Sequence, residues 1–325
     1  MRPSLYSTGA ASQDINDIAR NRKVWLRSID TAIREIEKTG HIDIVNVHCD
    51  DYYVFDLLTR GTKRWNIIYS LHNPYTENKK DIIELVNKND INCVVLSSSH
   101  KEDYSMINRL RVIPFGVDVF SSPYSLFPLS RVNVTPRLFI LRMLKERNKD
   151  YLVTVGRISE NKGIHSCIKL ALETNYSLII AGPPRNRDEY LYFERYVAPY
   201  VDGKKIIYFG TCNEIDKEEL LMYSVGFLNF SGFENKRWKE PYGRAWIEGM
   251  ACGTPAICHN WASMSEQIED GINGYLFSTF QEAKEKVQSI ERIDRLSCRS
   301  FASGHFDFRH HASEMEAFFL EVGKA

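Results

Sequence analysis

The sequence has no excess of either charge: 42 Lys and Arg stand against 42 Asp and Glu in 325 residues. A neutral chain carries no global field to draw nucleic acid or an anionic membrane, so no nucleic-acid partner is expected. It has no apolar run near the ~18 residues of a membrane-spanning helix and no signal-peptide pattern. Its seven cysteines, at 49, 93, 167, 212, 252, 258 and 298, form no CxxC pair. That spacing speaks against zinc ribbons and disulfide frameworks and fits free thiols in a reducing cytosol. No GxGxxG follows a strand pattern with an acidic residue ~20 positions on, which argues against a dinucleotide oxidoreductase. A convincing DxD-type metal motif is also lacking. The nearest pair, Asp50-Asp51, sits at a strand end, where such carboxylates more readily cap a helix.

What is present is a repeating alternation of short apolar runs and helical patterns. IDIVNV (42–47), NIIYSL (66–71), CVVLSS (93–98) and RVIPF (111–115) form a first set. YLVTVG (151–156), SLIIAG (177–182), IIYFG (206–210), VGFLNF (225–230), PAICH (255–259) and GYLFS (274–278) form a second. Most are continuous β-branched or aromatic runs, as parallel strands covered on both faces require. The pattern predicts two doubly wound α/β domains. The first is expected over 1–119, a linker over 120–150, the second over 151–308, and a terminal helix over 309–325 that packs back on the first domain.

In the linker, Thr135-Pro136 reads as an N-cap followed by Pro at the first helical position. The segment 137–149, RLFILRMLKERNK, is basic and amphipathic. Two readings stay open for it: a helix packed on a domain, or a contact with an acceptor or a membrane surface. The start is unusual. MRPSLYSTGAASQ leads into a helical pattern from Asn16 to Lys38, and no clear first strand precedes Ile42. A sheet edge left open there is one that a second copy can cover, so a homodimer is an open reading.

Two stretches carry the chemistry. GRISENKG (156–163) follows one strand pattern and opens a helix. Gly156 and Gly163 permit sharp backbone paths, and the cations Arg157 and Lys162 suit a phosphate or pyrophosphate at a strand's carboxyl end. Residues 240–255, EPYGRAWIEGMACGTP, hold Glu240 and Glu248 eight positions apart. Pro241 is expected at the first helical position, with Glu240 near the N-cap. Tyr242, Gly243 and Arg244 then offer backbone amides at a positive helix end, which can receive an anion. Glu248 is expected about two turns on, so the carboxylates bracket an anion-binding helix start. A nucleoside diphosphate sugar has that order of groups, since each carboxylate can accept from a vicinal diol.

Together with IIYFG and EQIEDGINGYLF, these stretches resemble the nucleotide-binding half of the retaining glycosyltransferases of family 4, which have the GT-B fold. IDIVNVHCDDYYVFDLL, YSLHNPY and RVIPFGVDV resemble parts of the family's acceptor domain. The likeness runs from about residue 41 to 278, and E-x7-E followed by GTPAI is its most specific element. The resemblance implies two Rossmann-like domains facing across a cleft that holds the donor. Glu240 would bind hydroxyls of the transferred sugar and Glu248 the ribose diol. Gly156, Arg157, Lys162 and the amides after Tyr242 would hold the pyrophosphate, and the turn Gly210-Thr211-Cys212 would meet the base. His72 would stand beside the sugar and the reacting oxygen.

The implied activity is transfer of a sugar to a hydroxyl acceptor with retention of anomeric configuration, without a cofactor or metal. The implied place is the cytoplasm, including the inner face of a membrane, in glycan biosynthesis. A partner subunit of the same fold that binds a nucleotide sugar without transfer is the alternative. The chain departs from the family in two respects. The usual first strand and Gly-rich loop are not recognised in the sequence, with STGA (7–10) the nearest remnant, and two readings stay open: a naturally abridged domain, or a native start other than Met1. Arg244 replaces a more usual aliphatic residue, where it serves either a phosphate or an acidic neighbour.

Overall fold

All ten strand patterns form strands in the computed structural model, which describes residues 24, 27–32, 34, 35, 38, 43–59, 65–235 and 238–324. The opening segment with STGA, and residues 236 and 237 ahead of Glu240, lie outside the described residues. Within the 16–38 pattern, those described are helical.

The first sheet holds β1 (Ile44–Val47), β2 (Asn66–Ser70), β3 (Asn92–Val95) and β4 (Leu110–Val112), parallel and in chain order. Helices α1 (Tyr52–Thr59), α2 (Lys80–Lys88) and α3 (Ser98–Asp103) connect them. In the segment CVVLSS the strand stops at Val95, because the Ser97 side chain accepts from the His100 amide and starts α3.

The second sheet has six parallel strands. They are β5 (Tyr151–Val155), β6 (Ser177–Ala181), β7 (Ile206–Gly210), β8 (Gly226–Asn229), β9 (Ala256–His259) and β10 (Gly274–Phe277), in the order β10-β9-β8-β5-β6-β7. The progression of strand order reverses between β5 and β8, the switch point where α/β sheets open a crevice at their carboxyl ends. The two faces are built by alternation. Leu152, Leu178, Ile180, Leu228 and Ile257 pack on one side with Ile168 and Val287. Val153, Ile179, Phe227 and Ala256 pack on the other with Trp246, Ile247 and Met250. Each of the Val, Leu, Ile, Phe and Met side chains contributes ~1.5–3 kcal/mol when fully buried.

The linker helix α4 (Phe139–Glu146) starts three residues later than Thr135-Pro136 suggests. The reason is a competing partner: the carboxylate of Glu219 accepts from the Arg137 and Leu138 amides, and Arg137 pairs with Asp216. Leu141 and Leu144 are buried among Tyr151, Leu220 and Leu221, so α4 packs on the second domain. Arg295, buried, donates to the carbonyl oxygens of Ser125 (2.8 Å), Ser224 (2.7 Å) and Met222 (2.7 Å). Burial lowers its pKa to about 10, so it stays charged at neutral pH.

After α5 (Ile164–Leu172), α6 (Arg187–Tyr196), α7 (Glu214–Met222), α8 (Arg244–Ala251), α9 (Met264–Gln267), α10 (Phe280–Ser289) and α11 (Arg295–His305), the chain returns to the first domain. Gly116 and Phe308 meet so closely that a Cβ on Gly116 would stand 2.1 Å from the Phe308 Cα. Helix α12 (Phe308–Lys324) lays Met315, Phe318 and Val322 on Ile68, Val94 and Ile113 of the first sheet. Polar contacts tie the domains elsewhere. Glu266 accepts from the Ser98 and Ser99 amides at 2.8 and 2.7 Å, and Lys239 pairs with Asp103 at 2.8 Å. No helix among the described residues is long and apolar enough to cross a membrane.

Candidate active site

A pocket of about 230 Å3 opens at the carboxyl ends of β5 and β8, the switch point of the second sheet. Gly156, Arg157, Lys162, Glu240, Tyr242, Gly243 and Arg244 all line it, although they come from two distant stretches of sequence. Arg157 is steadied by Glu189 at 3.1 Å. Lys162 ends a short 3-10 turn over Glu160–Lys162, and Gly163 then adopts φ +63°. That glycine is required twice over, by the left-handed backbone and by the Phe230 carbonyl, which a Cβ would approach to 2.5 Å.

Glu240 is buried, 8% exposed, and its Oε2 is the focus of three donors. Lys162 Nζ forms an ion pair with it, Trp238 Nε1 lies at 3.4 Å and Ser231 Oγ at 3.5 Å. A carboxylate so placed is fixed by its partners and faces the same pocket as the two cations.

The helix behind it differs from the sequence expectation. Helix α8 begins at Arg244 with Gly243 as N-cap, so Pro241 is not its first residue and Glu240 stands outside it. The cause is packing: Tyr242 is buried and donates its phenolic O–H to the Phe115 carbonyl, holding 240–242 outside the helix at the domain boundary. Gly243 also makes room for its neighbour, since a Cβ there would stand 1.4 Å from the Trp246 ring. The amides of the first turn of α8 have no partner within the helix.

Glu248 accordingly lies one turn into α8, not two. It pairs with Lys217 at 2.9 Å and with Arg244 at 3.2 Å. Its pocket, about 210 Å3, is a second one, walled by Gly116–Asp118 of the first domain and by Glu214, Lys217 and Glu218 of α7. Arg244 lines both pockets. The two glutamates thus open into adjoining chambers with Arg244 between them.

Gly210, Thr211 and Cys212 follow β7, with Thr211 exposed and Cys212 half-buried. Burial raises the Cys212 thiol pKa. These three residues line neither pocket. Gly210 and Gly156 flank Gly182 at the strand ends. The Gly182 amide donates to the Gly210 carbonyl at 2.7 Å, and a Cβ on Gly182 would reach the Gly156 carbonyl oxygen at 1.9 Å.

His72 stands elsewhere, in a cavity of about 400 Å3 between the first sheet and α12. Its ring stacks on Phe115 (5.1 Å, 7°) and on His48 (5.1 Å, 13°), with His48 Nδ1 2.8 Å from His72 Nε2. Burial, then the neighbouring His48, lowers the His72 pKa to about 4, so the ring is neutral at pH 7. His72 shares no pocket with Glu240; Phe115 and Tyr242 link the two cavities.

Asp50 does not cap a helix. It accepts from Tyr69 and Asn73 and pairs with Lys79 at 2.9 Å, while Asp51 accepts from the Tyr53 amide at 2.9 Å and starts α1. Among the described residues, no group of three or more His, Cys, Asp or Glu could hold a metal ion.

Sequence reading missed Arg185, His48 and Lys217. Arg185 had a usable cue, because AGPPRNRDE places it just past a strand and a glycine, as GR places Arg157. The pairing of Lys217 with Glu248 had none, because it depends on how α7 crosses α8.

Residues 142–301 match the family model described as glycosyl transferases group 1. An uncharacterized 41.2 kDa protein in the cps region of Klebsiella pneumoniae is 28% identical over 171 residues, which are 50% of this chain and 43% of that protein. The curated relatives that match are therefore spanned over less than half of their length. Among solved structures, Anabaena Alr3699/HepE in complex with UDP superposes with a TM-score of 0.70 at 15% identity, covering 90% of this chain and 82% of that one. Sucrose-phosphate synthase from Thermosynechococcus elongatus gives 0.72 at 15% identity, covering 91% and 77%. With two parallel-sheet domains arranged as in these glycosyltransferase structures, the chain has the GT-B fold, and its second domain together with α4 carries the glycosyl transferases group 1 signature.

Proposed function

We propose that this protein is a retaining glycosyltransferase that moves a hexose-type sugar from a nucleoside diphosphate to a hydroxyl acceptor. One observation carries the reading: Arg157, Lys162, Glu240 and the start of α8 line a single pocket at the switch point of the second sheet. A diphosphate there meets two cations and a helix N-terminus, with a carboxylate beside it for sugar hydroxyls. Glu248, in the adjoining chamber, serves the ribose diol, and Gly210–Cys212 the base. The Anabaena protein has been solved with UDP and with UDP-glucose, which supports a uridine nucleotide as the first donor to try.

In the reaction, the bond from the anomeric carbon to the diphosphate oxygen breaks and one to the acceptor oxygen forms on the same face. The acceptor proton passes to the leaving phosphate. Negative charge grows on the diphosphate, where Arg157, Lys162 and the α8 amides are already oriented to meet it. In this state Lys162 is paired with Glu240, so a donor phosphate competes with that carboxylate for the lysine. The neutral His72 ring offers a hydrogen bond to the sugar or acceptor without adding charge.

Calorimetric titration with UDP-glucose and other nucleotide sugars, followed by product release with candidate acceptors, tests this. Binding abolished by Glu240→Ala and Lys162→Ala, and an α-configured product from an α-linked donor, are the expected results. Donor binding without transfer to any acceptor would make the protein a binding subunit, and no nucleotide-sugar binding would end the proposal.

A further inference from the structure

The cavity beside His72 has a chemical character opposite to that of the donor pocket. Its walls are Val94, Leu96, Ile113 and Phe115 from the first domain and Met315 and Phe319 from α12. Among the described residues, no Lys or Arg lines it, and Glu316, exposed on α12, is the one carboxylate there. The donor pocket, by contrast, is lined by Arg157, Lys162, Arg185 and Arg244. An anion entering the His72 cavity would lose hydration with no cation to replace it and would pass Glu316 on the way. Its volume, about 400 Å3, falls within the range of small-molecule sites.

The polar groups converge at one edge. His48 and His72 hydrogen-bond to each other at 2.8 Å, and Ser70 donates to Asn46 at 2.9 Å. Burial lowers the pKa of both His48 and His72. His311 closes the same wall, fixed to the Pro114 carbonyl at 2.7 Å. The site therefore combines an apolar floor with a neutral imidazole edge, and Phe115 connects that edge to Tyr242 and the donor pocket.

Resting on the transferase reading above, we propose that this cavity seats the aliphatic body of an uncharged acceptor alcohol, with its hydroxyl at the His48–His72 edge. The acceptor class is thereby narrowed from any hydroxyl compound to uncharged alcohols carrying an alkyl chain.

Calorimetry on the full chain, with and without UDP, tests the proposal using octyl β-D-glucoside, methyl β-D-glucoside and octyl phosphate below their micellar concentrations. Octyl glucoside should bind at least tenfold more tightly than the methyl glycoside, and octyl phosphate more weakly than octyl glucoside. Ala312→Trp fills the mouth from an exposed position on α12. It should weaken octyl glucoside at least tenfold while UDP affinity is retained, and Glu316→Trp serves as a second blocking variant. Equal binding of the two glucosides, tighter binding of octyl phosphate, or octyl binding untouched by both tryptophans would overturn it. Loss of UDP binding alone would count against the transferase reading, and the glucoside comparison would still judge the cavity.

Discussion

Lys162 and Glu240 form an ion pair in the wall of the β5–β8 pocket, one from the turn after β5 and the other from the segment before α8. Both are largely buried, so removing one leaves the other poorly solvated. Lys162→Ala should raise the Kd for UDP-glucose at least tenfold, and it should also lower stability. Adding Glu240→Gln should recover stability but not affinity. Calorimetry and chemical denaturation of the two variants separate these effects.

Gly182 permits the close approach of strands β5 and β6 at their carboxyl ends, at φ +134° and against the Gly156 carbonyl. Gly182→Ala should cost at least ~1–3 kcal/mol from overpacking alone and should disturb the Gly156-Arg157 turn. Gly304→Ala is the control, because α11 leaves open space there. It should stabilise by roughly 0.5–1 kcal/mol. Denaturation midpoints of the two variants should move in opposite directions.

His72 has a folded-state pKa of about 4, against 6.5 for a free imidazole side chain. Between those values the unfolded chain binds more protons than the native one, so stability rises with pH across the window. It is therefore fully present above about 6.5 and lost as pH falls toward 4. Burial, His48, His100 and Lys79 hold the ring neutral, opposed by Asp50. His72→Phe should flatten stability over this range. Denaturation at several pH values checks it, and an unchanged slope would remove His72 as the source.

Tyr242 and Phe115 link the two cavities directly, by a hydrogen bond and a ring contact. Tyr242→Phe keeps the ring and removes only the hydrogen bond, worth about 1 kcal/mol. With the two domains less firmly tied, the expected effect is a several-fold lower kcat with little change in donor KM. Steady-state kinetics with UDP-glucose will show which parameter moves.

The fold was legible because buried parallel strands must be continuous apolar runs, and all ten segments stood out for that reason. The pocket was legible where chemistry follows directly from a strand end, as with Gly156, Arg157 and Lys162. The boundaries of α4 and α8 were not. In each case a partner far along the chain overrode the local signal: Glu219 captured the amides of Arg137 and Leu138, and Phe115 captured Tyr242. The spacing E-x7-E marked both acids but could not show that Glu248 is held by Lys217 in a chamber of its own. Arg244 reaches that acid, a contact its position one turn earlier on α8 permits.

A crystal structure of the protein with UDP-glucose tests the central claim most directly. The account predicts the diphosphate within hydrogen-bonding distance of Arg157, Lys162 and the first amides of α8. It also predicts the sugar on Glu240 and the ribose hydroxyls on Glu248. A nucleotide bound elsewhere, or one that leaves the Lys162–Glu240 pair intact and Glu248 without a ribose contact, would contradict it.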